Sequence, residues 1–83
     1  MDREKLKSYK ALRVELSRLP PGERREMVDS SIKEIESWIL GISDATDRVI
    51  FSCVFLDGLS YREVGYKLSM DYSWICRRIQ KYV

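Results

Sequence analysis

Ser73, Arg77 and Gln80 are spaced four and three residues apart. Side chains at that spacing share one face of a helix. A hydroxyl, a guanidinium and a carboxamide in one line can hydrogen-bond base edges: arginine grips guanine through two bonds, and glutamine grips adenine the same way. Lys81 lies at the edge of that line. Arg62 and Lys67 precede it, and Tyr61 and Tyr72 stand near helix starts, where hydroxyls and backbone N–H groups meet phosphate. The expected chemistry is therefore recognition of a nucleic-acid duplex. Ser73, Arg77 and Gln80 are the candidate base readers. Arg62, Lys67, Tyr61, Tyr72, Arg78 and Lys81 are the candidate phosphate contacts. Taken singly, each is equally well read as a solvated side chain; the shared stripe raises the set above its members.

Two short helices must hold these residues. "LSYREV" contains Ser60 and Glu63 in S-x-x-E spacing, a capping box that starts a helix at Ser60. Val64 and Leu68 form its inward face, and Gly65 between them lets another helix approach closely. "SMD" breaks the helix: Ser69 turns, Met70 plugs inward and Asp71 caps the next helix. That helix, "YSWICRRIQKYV", places Ile75 and Ile79 inward. With about 100° per residue, Ser73, Arg77 and Gln80 then point outward. Arg78 projects nearer the body, with two uses open to it: a phosphate, reached by snorkelling, or an acid of the third helix, which ends at Gly58. Trp74 sits on a flank as a packing residue. A helix, a turn of about three residues and a second helix fixed by the crossing is the helix-turn-helix pattern.

The rest of the chain reads as helix too. Strand alternation is absent. A first helix is expected from Asp2 to about Leu19, with Tyr9, Leu12, Leu16 and Leu19 on one side, stopped by "LPPGE". A second runs from about Glu23 to Ile42, with Val28, Ile32, Ile35, Ile39 and Ile42 as a heptad-like seam. That seam has two uses at this level, packing within the chain or a homodimer interface. A third helix is capped by Ser43 or Asp44, carries Asp47 in its first turn, runs apolar nearly all round through "RVIFSCVFL" and ends at Gly58. The expected architecture is all-α with about five helices in a single domain, 1–83. Residues 1–42 form a helical hairpin, an oligomerisation element if the seam is shared, and residues 43–83 the helix-turn-helix part.

Composition narrows the function. Eighty-three residues without histidine, and with cysteines only at 53 and 76, exclude a His-based triad, a disulfide framework and a structural zinc site. No glycine-rich phosphate loop is present. An enzyme, a metal and a cofactor are all unexpected. No apolar run approaches the roughly 20 residues of a membrane span. "MDREKLKSYK" lacks a signal-peptide core, so a cytoplasmic protein is expected. Charge is uneven: +3 over residues 1–28, −4 over 29–57 and +3 over 58–83. The basic last block is a modest footprint for an anionic partner.

From Asp47 onward, "DRVIFSCVFLDGLSYREVGYKLSMDYSWICRRIQK" resembles region 4 of bacterial sigma factors and related helix-turn-helix proteins. The full layout is similar to small phage regulators of the RinA/ArpU type. The resemblance implies a phage- or prophage-encoded DNA-binding activator of late genes, working in the bacterial host cell, with Tyr72 to Lys81 as recognition helix. Two departures stand beside it. The sequence stops at Val83, where sigma factors continue, and nothing resembles sigma region 2, so promoter melting is not expected. The expected partners are double-stranded DNA, RNA polymerase and a second copy through the N-terminal helices. Two other readings stay open: a DNA-packaging adaptor like a phage terminase small subunit, and a module docking on RNA polymerase without touching DNA.

Overall fold

The computed structural model of the chain describes residues 1–83. It contains helices and no strand: α1 (Arg3–Lys7), α2 (Tyr9–Arg18), α3 (Glu23–Leu40), α4 (Ala45–Phe51), a π-helical segment (Ser52–Leu56) continuing α4, α5 (Tyr61–Leu68) and α6 (Tyr72–Gln80). The fold is all-α, with one more break than the sequence suggests. The expected first helix is divided at Ser8, whose hydroxyl donates to the Lys5 carbonyl at 2.6 Å. Such a local bond competes with regular helical winding. Asp2 caps α1 by accepting from the Lys5 N–H at 2.7 Å.

Pro20–Gly22 turns the chain, and α2 packs against α3. Arg25 closes the turn. Its Nη1 donates to the carbonyls of Leu16 and Leu19 at 3.1 and 2.9 Å, meeting two acceptors that a helix end leaves open. Arg24 bridges to Glu15 across the same hairpin at 2.6 Å. Val28, Ile32, Ile35, Ile39 and Ile42 are all buried within this one chain. The seam is therefore covered within the single chain.

Asp44 caps α4 by accepting from the Asp47 N–H at 2.9 Å. The apolar stretch after it is buried on several sides, as Ile50, Phe51, Cys53 and Phe55 show. Its second half winds wide: the Asp57 N–H donates to the Ser52 carbonyl, five residues back, at 3.0 Å. Gly58 ends it with φ of +74°, where a side chain would be strained. One buried cluster draws on every helix, from Leu6 of α1 to Ile79 of α6. Trp38 of α3, Phe51 of α4 and Tyr82 beyond α6 meet edge to face at 5.3–6.4 Å, which ties the hairpin to the last helix. No helix is long and apolar enough to cross a membrane.

Candidate nucleic-acid interface

The α5–α6 pair begins with a complete capping box. The Glu63 N–H donates to Ser60 Oγ, and the Ser60 N–H donates to Glu63 Oε1, both at 3.2 Å. Val64 is fully buried and Leu68 partly so. Ser69 closes α5 in the left-handed region, with φ 55° and ψ 44°. The chain then doubles back so tightly that the Met70 N–H donates to the Gly65 carbonyl at 2.8 Å. A β-carbon at Gly65 would lie 2.8 Å from the Met70 carbonyl oxygen. The close approach that glycine permits is thus to the turn's own backbone. Met70 packs inward against the core.

Asp71 occupies the N-cap position of α6 but makes no side-chain bond to a helix N–H. Its carboxylate accepts from Ser73 Oγ instead, at 2.6 Å. This corrects the expected cap. It also fixes the polarity of Ser73: with its proton held by Asp71, the hydroxyl faces a partner as an acceptor. Ile75 and Ile79 are fully buried. Tyr72, Ser73, Arg77, Gln80 and Lys81 are exposed. Arg77 and Lys81 form no ion pair, and no protein group hydrogen-bonds the Gln80 carboxamide.

The neighbouring basic and aromatic groups extend this face. The Arg62 guanidinium lies 5.7 Å from the centre of the half-exposed Tyr72 ring, a distance at which a cation is held by the ring face. Tyr61 stands 6.3 Å from Tyr72, ring to ring. Lys67 is exposed and unpaired. Tyr66, which no sequence pattern singled out, is 92% exposed and shares a recess with Arg62, Gly65, Met70 and Tyr72.

Arg78 behaves differently. Its Nε and Nη2 donate to the two oxygens of Asp47, both at 2.6 Å, and the Tyr82 hydroxyl donates to Asp47 Oδ2 at 2.6 Å. Asp44 stands 3.8 Å away. Of the two uses open to Arg78, the geometry has the acid partner. Its guanidinium also covers the Trp74 ring at 5.4 Å, leaving Trp74 half-buried against the core. Asp47 is fully buried. The Arg78 bonds hold its carboxyl below the usual carboxylate range, against the opposing effect of burial. Tyr82 is pushed up, first by its bond to the same carboxylate.

Asp47 and Tyr82 were absent from the sequence-derived set. A signal for Asp47 was present: it lies three and four residues before Ile50 and Phe51, an acid at a position of core spacing. Its partner is 31 residues away, beyond the reach of any local pattern. Compared with family models, curated proteins and solved structures, the chain finds no match.

Proposed function

We propose that the chain is a sequence-specific double-stranded DNA-binding regulator of transcription, of the phage late-gene activator kind that its sequence resembles. One observation carries the reading. The cations on the outer face of α5 and α6 (Arg62, Lys67, Arg77 and Lys81) have no acid partner, whereas the inward Arg78 is neutralised by Asp47. Unpaired charge on the exposed side of a second helix suits a polyanion. Arg62, Lys67, Lys81, Tyr61 and Tyr72 supply phosphate contacts, and Ser73, Arg77 and Gln80 read bases. Arg78 and Asp47 set the seat of α6.

The test is selection of bound sequences from a random duplex pool, followed by a salt titration on the winning site. Enrichment of a site is expected, with log K falling linearly in log salt. No enrichment together with no salt dependence removes the proposal. A closed ring in native mass spectrometry would point to a packaging adaptor. Salt-insensitive capture of RNA polymerase with no duplex shifted would point to a protein-docking module.

A further inference from the structure

A second basic group lies outside the helix-turn-helix. Lys7 of α1 and Lys10 of α2 line one recess with Gly58 and Tyr61, at the start of α5. Lys10 lies across the turn because Gly58 has no side chain: a β-carbon there would fall 2.7 Å from Lys10 Cδ. Both lysines are exposed. Neither is ion-paired, although Lys5, a little earlier, is held by Glu34 at 2.6 Å. Asp57 lines an adjoining recess with Lys10 and forms no ion pair with it. Tyr61 then leads onward, 6.3 Å from Tyr72, which in turn carries the Arg62 guanidinium at 5.7 Å. Lys7, Lys10, Tyr61, Tyr72 and Arg62 thus form a continuous path from the N-terminal helices to the first residue of α6.

We infer that the N-terminal helices are part of the DNA interface: Lys7 and Lys10 bind phosphates of the duplex that flanks the base-read site. The inference rests on the DNA-binding reading above and deepens it. It assigns a contact role to a segment whose sequence suggested only packing or oligomerisation. Two added phosphate contacts increase the salt slope without adding sequence information.

The test compares the full chain with a Lys7→Gln/Lys10→Gln variant, which removes the charge and keeps the inner half of each aliphatic stem. Each is titrated with salt on two duplexes, one limited to the selected site and one with several further base pairs on either side. On the longer duplex the variant is expected to lose about 1–2 from the magnitude of the log K against log salt slope, at about 0.9 per phosphate. Its preference for the selected over a scrambled site should stay unchanged, as should its binding to the short duplex. Arg18→Gln, another exposed and unpaired cation at the far end of α2, should leave the slope where it was. An unchanged slope on the longer duplex overturns the inference, as does an equal loss on both duplexes or an equal loss with Arg18→Gln. If the unaltered chain itself shows no salt-dependent duplex binding, the DNA-binding reading falls and takes this one with it.

Discussion

Two adjacent arginines on α6 do opposite things, and a helix turn of about 100° per residue is the reason. Arg77 faces solvent with no protein partner, while Arg78 is locked on Asp47. Arg77→Ala is expected to weaken binding to the selected site by about 1–3 kcal/mol and to random duplex far less; equal losses in anisotropy titrations on the two would remove its base-reading role. Asp47→Asn is expected to destabilise the fold by about 2–3 kcal/mol in chemical denaturation, because one partner of a buried pair is neutralised. The pH profile follows from the same contact. The folded-state pKa of Asp47 is depressed, so its contribution is complete above about pH 4, the ordinary aspartate value, and fades as pH falls through the folded value. Tyr82 is raised, so its contribution holds below about pH 10 and fades as pH climbs through the folded value. Both limbs should flatten in Asp47→Asn. Limbs as steep as before would place the acid sensitivity elsewhere. The pairing is only partly legible in the sequence: Arg78 pointed inward, with an acid of the third helix as one of two uses, but which acid was not fixed.

At the scale of the elements, the caps made most boundaries readable. Ser60 with Glu63, Asp44 and Gly58 all sit where their chemistry places them. Three features left no local trace. Ser8 looked like an ordinary helical residue, Asp71 turned to the Ser73 hydroxyl rather than to a backbone N–H of its helix, and nothing in "SCVFL" announced a wide turn. Each depends on which of several nearby acceptors wins, and tertiary packing decides that. Gly65 is the most demanding position. Replacing a glycine inside a helix by alanine normally adds about 1 kcal/mol of stability. Here the added methyl meets the Met70 carbonyl at 2.8 Å, and backbone in a tight turn cannot step aside. Gly65→Ala should therefore destabilise by about 1–3 kcal/mol, lowering the Tm by about 4–8 °C per kcal/mol. A raised Tm would show that the turn yields.

Over the whole molecule, the hairpin and the helix-turn-helix share one core. The isoleucine seam was legible as a seam, but its occupant was not, since a heptad-like stripe is the same whether it meets its own chain or another. Ile35 is fully buried inside the single chain. Ile35→Ala is expected to cost about 2–4 kcal/mol by leaving a cavity. That loss should be the same at every protein concentration, as expected for a residue packed within one chain. A Tm that rises with concentration would return the seam to a dimer. The molecule measures 44 × 22 × 18 Å, and the proposed function gives it α6 alone for reading bases. Reaching past one short site then depends on surfaces other than α6, which is where Lys7 and Lys10 lie.

The placement of the two tryptophans also gives the protein its own optical probes. Trp38 stands edge-on to Phe51 and Tyr82 at the joint between hairpin and last helix, and Trp74 lies under Arg78 on α6 itself. In a Trp74→Phe variant, tryptophan emission, excited beyond the tyrosine absorption, follows the joint alone. In a Trp38→Phe variant, emission and its quenching by iodide follow the seat of α6. Folding of the body and seating of α6 can thus be watched separately, in the unlabelled protein.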